Sequence, residues 1–192
     1  KNILDEGITA IRSEAENMQQ LIEKLLFLAR ADQKRQAVNK EAVEFSELLA
    51  DTMEKMQTVT TSHEVTLGRN DHAVVSADPV LLRQLLRIFL ENSVKYTPPG
   101  GHIHAYSILS DDGKTITVTL TDNGIGIAPE HQARIFDRFY RVDSSRTKET
   151  GGSGLGLSIA RWIAERHDIK IALRSAVDEG TTITLSIPTI TE

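Results

Sequence analysis

Residues 116–127 read ITVTLTDNGIGI, and the meaning of these twelve letters sets the architecture. The first half alternates apolar and polar residues with a period of two, which predicts a strand with one face buried. Residues Ile103 to Leu109 alternate in the same way, and Asp111, Asp112 and Gly113 lie between the two runs. Two alternating runs around such a turn predict a β-hairpin. After Leu120 the pattern breaks into Asp122-Asn123-Gly124-Ile125-Gly126, and residues 122–156 stay glycine-rich and irregular apart from a short helical segment near Gln132 to Phe139. A long interrupted loop of this kind usually carries function.

Working outward, Leu155 to Arg166 read as a helix, while Ile169 to Arg174 and Thr182 to Ile187 read as strands joined through Asp178, Glu179 and Gly180. Upstream, Asp78 caps a helix that opens with Pro79 and runs to about Tyr96, where Pro98 and Pro99 stop it. Ala42 to Phe45, Val65 to Leu67 and Ala73 to Ser76 read as strands, and Ser46 as the cap of a helix to about Met56. This mixture predicts an α+β fold: a two-layer α/β sandwich, with a mixed sheet carrying helices on one face. A long N-terminal helix precedes it. Leu4, Ile8, Ile11, Ala15, Met18, Ile22, Leu25 and Ala29 follow at alternating steps of four and three, a heptad seam on a helix of about 45 Å. The seam suits a helical bundle; an amphipathic helix lying on its own domain is the alternative.

The chain has 192 residues, 40% of them hydrophobic, which is enough for one ordinary domain with an appendage. Its net charge is −5 with no long basic run, so attraction to a polynucleotide backbone is not expected to drive function. No cysteine is present, which excludes thiolate chemistry and disulfides. No apolar run approaches the roughly 20 residues needed to span a bilayer and the N-terminus lacks a signal-peptide pattern, so the sequence predicts a soluble, cytosolic piece.

Three elements carry chemistry. On the helix after Asp78, residues Ile88, Asn92, Lys95 and Tyr96 share a face. An asparagine oxygen is a hard ligand suited to Mg²⁺, lysine a point charge for phosphate, and tyrosine a flat surface with a polar tip. Exposed polar residues at a helix end are also ordinary solvated surface. Asp122, placed directly after a strand, can accept from an exocyclic amino group such as that of adenine, and Gly124 and Gly126 allow close approach to the backbone. A turn rich in Asp, Asn and Gly is the bland alternative, and the spacing fails the calcium-loop pattern. Third, Gly151-Gly152-Ser153-Gly154-Leu155-Gly156-Leu157-Ser158 precedes a helix, so free amides and the helix dipole face an anion. It matches neither the Walker A loop nor the dinucleotide fingerprint. Arg138 and Arg141 flank Phe139 and Tyr140 in the intervening loop, where a guanidinium reaches a triphosphate if that loop closes as a lid.

In order and context these blocks resemble the sensor histidine kinases of the gyrase, chaperone, histidine kinase and mismatch-repair ATPase superfamily. Asp78 through Gly101 resembles the N box, Asp122 to Ile127 the G1 box, Ile135 to Arg141 the F box, Gly152 to Leu157 the G2 box, and Gly180 to Ile183 the last glycine box. The resemblance implies that Asp122 binds the adenine amino group with Thr181 nearby, that Asn92 holds Mg²⁺, and that Lys95 and Tyr96 contact phosphates or ribose. It implies that Arg141 approaches the γ-phosphate with Arg138 beside it. Gly124, Gly126, Gly152, Gly154 and Gly156, with Leu155 and Leu157, shape the pocket and hinge its lid. ATP and Mg²⁺ are the implied cofactors. Residues 1–35 resemble the second helix of the dimerisation and phosphoacceptor hairpin, 36–42 a linker, and 43–192 the catalytic ATP-binding domain. The implied partners are a second copy of the chain and the receiver domain of a response regulator, with neither nucleic acid nor membrane touched by this piece. The implied setting is the cytoplasmic portion of a bacterial inner- or plasma-membrane sensor.

Two departures stand out. Where the family often has a polar residue one turn before Asn92, this chain has Ile88, which neither coordinates metal nor positions water. No acceptor-like His-Glu-Leu-Arg-Thr-Pro segment precedes the first helix; His63-Glu64 is the sole His-Glu pair, and it, like the other histidines, reads as surface. The sequence therefore predicts a chain starting just before the second hairpin helix, without a local histidine to phosphorylate. Histidine phosphorylation competes here with an ATP-driven conformational clamp, which Ile88 disfavours, and with a dimerising module that has lost its nucleotide.

Overall fold

The computed structural model describes residues 3–142 and 152–190. The chain forms two compact units, Lys1–Ala37 and Val38–Glu192. The first is a single helix, α1 (Ile3–Asp32), of 30 residues. The side chains of Ile8, Ile11, Met18, Ile22 and Leu25 are all exposed along it, with Ile11 at 72%. An apolar row of this length on a surface is what a second helix would cover. Beyond the helix, Lys34 takes a left-handed φ of 55° while Arg35 N–H donates to Arg30 O at 2.8 Å, closing the last turn.

The second unit begins with β1 (Glu41–Glu44), α2 (Phe45–Val59), β2 (Glu64–Asn70), β3 (Val74–Ala77) and α3 (Pro79–Tyr96). The hairpin β4 (His102–Leu109) and β5 (Thr115–Asp122) follows, then the short α4 (Pro129–Gln132), α5 (Gly156–Arg166), β6 (Lys170–Ala176) and β7 (Gly180–Pro188). β1 and β3 form a small antiparallel pair, and the main sheet has the order β2-β4-β5-β7-β6. It is mixed: β2 runs parallel to β4, and every other pairing is antiparallel.

The alternation in β5 explains the two layers. Ile116, Val118 and Leu120 are buried, while Thr115, Thr117 and Thr121 on the opposite face keep partial exposure. The helices pack on the apolar face, α2 against β2, α3 against β5 and α5 against β6. Phe45, Leu49 and Met53 of α2, Leu82, Leu85 and Leu86 of α3, and Ile159 of α5 are sealed there. Each such side chain contributes about 1.5–3 kcal/mol by leaving water. Among the described residues no helix layer covers the other sheet face, which carries the threonines of β5 together with His102, His104, Tyr106 and the half-exposed Ile108 of β4, a largely polar face as an antiparallel sheet with one wet side shows.

Local chemistry departs from the sequence reading at three places. The cap of α2 is Glu44, whose carboxylate accepts from Ser46 Oγ at 2.9 Å; Ser46 lies inside the helix. The helical piece of the long loop starts at Pro129 and makes a single turn, because Pro fits the first helical position and the residues after it form turns. His167, read as surface, is only 3% exposed. Its Nδ1 faces Ile163 O at 2.8 Å, and its Nε2 accepts from Asp78 N–H at 3.0 Å. Both ring positions are thus committed, and the ring is neutral with its proton on Nδ1. Asp78 caps α3 as expected, with Oδ1 accepting from Val80 and Leu81 N–H, and its Oδ2 accepts from Asn39 N–H at 2.9 Å. Asp78 therefore joins the segment leading into the unit to the starts and ends of two helices.

Candidate functional site

Asp122 is the last residue of β5 and follows Ile116, Val118 and Leu120 on the core face. The register therefore puts a carboxylate where another hydrophobe would stand, opposite Thr181 of β7. Asp122 is 7% exposed. Its Oδ1 accepts from Gly124 N–H at 3.0 Å and Thr181 N–H at 3.1 Å, and its Oδ2 from Ser93 Oγ at 2.8 Å. Burial pushes its acidity down, raising the pKa above the ordinary carboxylate range, while the Ser93, Gly124 and Thr181 bonds pull the other way. Each carboxylate oxygen has about two acceptor directions, so one direction on Oδ2 remains for a ligand.

The turn after Asp122 is held by direct backbone packing. Gly126 has φ 68° and Gly180 φ 85°, a region that side chains rarely adopt. A Cβ on Gly126 would overlap the Ala176 carbonyl, and one on Gly180 would overlap the carbonyl of Asp122. Side-chain bonds complete the clamp: Gln132 Nε2 donates to Ile127 O at 2.9 Å and Ser175 O at 2.8 Å, and Ile127 N–H donates to Ser175 Oγ at 2.8 Å. Gly124 sits under Tyr96 O, which itself accepts from Ile125 N–H at 3.0 Å.

Asp122 lines a cavity of about 200 Å³ together with Phe89, Ile127, Ile135, Leu157 and Ile183. Of the residues expected at the site, Asn92, Tyr96, Asp122, Gly126, Arg141, Leu157 and Thr181 line it. An apolar slot with a few placed polar groups is the ordinary form of a small-molecule site. Lys95 lies at its edge, with Nζ 5.1 Å from the centroid of the Tyr96 ring and beside the Gly152 backbone. Burial raises the Tyr96 hydroxyl pKa, and the charge of Arg141 opposes this. Arg138 is exposed and is not among the lining residues. Gly154 packs against Phe139, whose N–H donates to Gly154 O at 2.9 Å, so the F-box and G2-box segments meet. Leu155 is fully buried and serves the core; Gly156 rests on Ile88, itself buried. Of the loop expected to form a lid, residues 143–151, Gly151 among them, lie outside the described residues.

The lining residues that the sequence reading did not place at the site include Ser93, Tyr140 and Ile135. Ser93 adjoins Asn92 but faces the sheet, and its only signal was its place one turn after Phe89 on the core side of α3. Tyr140 lines the cavity, accepts or donates at His131 Nδ1 at 2.7 Å, and carries the Arg134 guanidinium 4.3 Å from its ring centroid. Ile135 walls the slot from the turn before it. No sequence spacing could have joined these to Asp122, because the loop, α3 and β5 meet only through the fold.

The donor set fits a magnesium nucleotide better than a metal held by protein alone. Among the described residues no group of three or more His, Asp or Glu side chains could hold a metal ion. Mg²⁺ commonly takes one protein oxygen and completes its shell with phosphates and water, and Asn92 offers such an oxygen on the cavity wall. Ser153 Oγ, in the glycine-rich turn, is buried and has no hydrogen-bond partner among the described residues, as expected where an anion is due.

Comparison with known proteins agrees with the geometry. Residues 77–191 match the family of histidine kinase-, DNA gyrase B- and HSP90-like ATPases. The chain is 35% identical over 183 residues to the sensor histidine kinase YkoH of Bacillus subtilis (strain 168), covering 95% of this chain and 39% of that protein. It is 34% identical over 194 residues to the sensor histidine kinase WalK of the same organism, covering 98% of this chain and 31% of that one. The chain thus spans about a third of the length of these relatives. Among solved structures, the mycobacterial sensor histidine kinase MprB superposes with a TM-score of 0.69 at 25% identity, over 80% of this chain and 100% of that one. Full-length ShkA in complex with AMPPNP shares the fold, with a TM-score of 0.84 at 24% identity over 100% of this chain and 40% of that one. No described helix is long and apolar enough to cross a membrane. With a mixed sheet under one helical layer, a buried aspartate at the end of its central hairpin and a glycine turn beside it on the cavity wall, the chain belongs to the histidine kinase-, DNA gyrase B- and HSP90-like ATPases.

Proposed function

We propose that this chain is the ATP-binding catalytic part of a sensor histidine kinase and delivers the γ-phosphate of Mg·ATP to a histidine of a dimerisation domain, for relay to a response-regulator aspartate. The observation that carries the reading is Asp122, a buried carboxylate with one open acceptor direction on the wall of a largely apolar slot. The similarity of the chain to sensor histidine kinases over nearly its whole length supports it.

In this reading Asp122 and Thr181 take the adenine, Asn92 supplies an oxygen to Mg²⁺, and Lys95, Tyr96, Arg138 and Arg141 meet ribose and phosphates. Gly124, Gly126, Gly152, Gly154, Gly156, Leu155 and Leu157 give the slot its walls. Bound Mg²⁺ neutralises charge on the phosphates. A neutral imidazole nitrogen attacks the γ-phosphorus, the bond to the bridging oxygen breaks, and ADP leaves with the electron pair. Residues 1–35 are the second helix of the dimerisation hairpin, 36–42 the linker and 43–192 the catalytic domain. The exposed row on α1 is then the seam of a homodimer within the cytoplasmic part of a membrane-anchored bacterial sensor.

The conformational-clamp reading needs a base one turn before Asn92, and that position is Ile88, buried against Gly156. Calorimetry with Mg·ATP on the chain and on Asp122→Ala tests the proposal. Loss of the adenine acceptor is expected to weaken binding by at least about tenfold, and equal affinities would refute it. With a separate acceptor helix pair and labelled ATP, acid-labile label on histidine is expected; phosphate released to water instead would favour the clamp.

A further inference from the structure

Ser93 sits beside Asn92 on α3, yet the helix turns its side chain about 100° away, toward the sheet. There it is 8% exposed, and its hydroxyl donates to Asp122 Oδ2 at 2.8 Å. The two oxygens of Asp122 are held by different means. Oδ1 accepts from two backbone amides, those of Gly124 and Thr181, which belong to the turn and to the β5–β7 pairing and do not depend on any side chain. Oδ2 is held by Ser93, and it is the oxygen with an acceptor direction left over.

We propose that Ser93 is a positioning residue for base recognition: its hydroxyl, spanning from α3 to β5, fixes Asp122 Oδ2 as an oriented acceptor, so that the slot takes a purine presenting an amino donor. The inference rests on the reading of Asp122 as the adenine contact. A hydroxyl has a single hydrogen, and spending it on Oδ2 favours the ionised carboxylate over the protonated one. A protonated Asp122 would be a donor, unsuited to an amino group and suited to the oxo group of hypoxanthine or guanine. Ser93 therefore acts on the chemical identity of the ligand as well as on the direction of the carboxylate.

The charged or titratable groups sharing the cavity are Tyr96 of α3 and Tyr140 and Arg141 of the loop after α4. Lys95 stands at the same helix end. From the strands, Asp122 meets Ile103 of β4 and Thr181 of β7 in register, neither of which titrates. Burial already raises the Asp122 pKa, and the Ser93 bond is the first of the interactions that hold it down. Removing that bond moves the acid loss of adenine binding toward neutrality.

The test titrates the whole chain with Mg-free ATP and with inosine triphosphate between pH 5 and 8.5, for the natural protein, Ser93→Ala and Ser93→Thr, with Asp122→Ala as control. Alanine is a strong helix former, so the first variant keeps α3. For Ser93→Ala we expect ATP affinity at pH 8 to fall by about threefold to tenfold, the size of one lost hydrogen bond, and the acid limb of its pH profile to start at higher pH. Discrimination between ATP and inosine triphosphate should shrink, and Ser93→Thr, which keeps the hydroxyl, should restore the natural profile. The carboxyl carbon-13 shift of Asp122 should titrate at higher pH in Ser93→Ala without ligand. Superposable pH profiles and carboxyl titrations for Ser93→Ala and the natural protein overturn the inference. If Asp122→Ala binds ATP undiminished, the adenine contact itself fails and takes Ser93 with it; if Asp122→Ala loses ATP while Ser93→Ala is silent, only the role of Ser93 fails.

Discussion

Mild acid should loosen the second unit through one histidine, and the size of the effect follows from two hydrogen bonds. His167 Nε2 accepts from a backbone N–H, that of Asp78, which has no other role than donor. Protonating the ring puts a hydrogen on Nε2, breaks this bond and leaves a buried amide unpaired, at a cost of about 1–3 kcal/mol. Burial accordingly lowers the His167 pKa, with Lys40 adding to the effect and Ile163 O, Asp78 and Asp168 opposing it. Because the folded pKa lies below the unfolded one, the unfolded chain binds the proton more readily. Stability is complete above the unfolded value near ~6.5, falls as the pH drops through it, and levels off below the folded value. One group contributes at most about 1.4 kcal/mol between pH 7.5 and 5.5. Asp122 works in the opposite sense, since its raised pKa makes the fold gain stability as protons bind, so the raw pH slope mixes the two. His167→Gln separates them, because a glutamine amide oxygen offers an acceptor at the place of Nε2 and does not titrate. Urea unfolding followed by the fluorescence of Trp162, the single tryptophan of the chain, should show the natural protein losing about 1 kcal/mol more than His167→Gln over this interval. Equal losses in the two proteins would refute the latch.

Gly126→Ala should cost about 2–5 kcal/mol, combining a left-handed backbone with overlap against the Ala176 carbonyl; denaturant midpoints read the loss, and a change below about 0.5 kcal/mol would mean the turn yields freely. Asn92→Ala should weaken Mg·ATP while leaving Mg-free ADP within about threefold, read by calorimetry with and without chelator. Equal weakening of both would move Asn92 from the metal to the nucleoside.

Most of the fold was legible because its signals are local. Alternation in β4 and β5, the Asp78-Pro79 start and the proline stop after Tyr96 are each decided by neighbours in sequence. The errors fell where distant atoms decide. Glu44 rather than Ser46 caps α2 because its carboxylate also accepts from Ala73 N–H at 3.2 Å, a contact 29 residues away. His167 looked like surface because its partner, Asp78, lies 89 residues upstream. Asp122 could be singled out by its place after a strand, whereas Ser93 could not, since Ser at a helix position carries no mark of what it faces.

By itself the sequence determined which segments are strands and helices, and which residue types stand ready for a purine, phosphates and Mg²⁺, because periodicity, capping and glycine spacing are read over a few residues. Only the tertiary structure decided which of those residues share one slot, which oxygen of Asp122 is left open, and that Leu155 and Ile88 belong to the core. Burial and hydrogen-bond satisfaction depend on everything that packs around an atom, and pairing β5 with β7 beneath α3 brings together groups that the chain holds far apart.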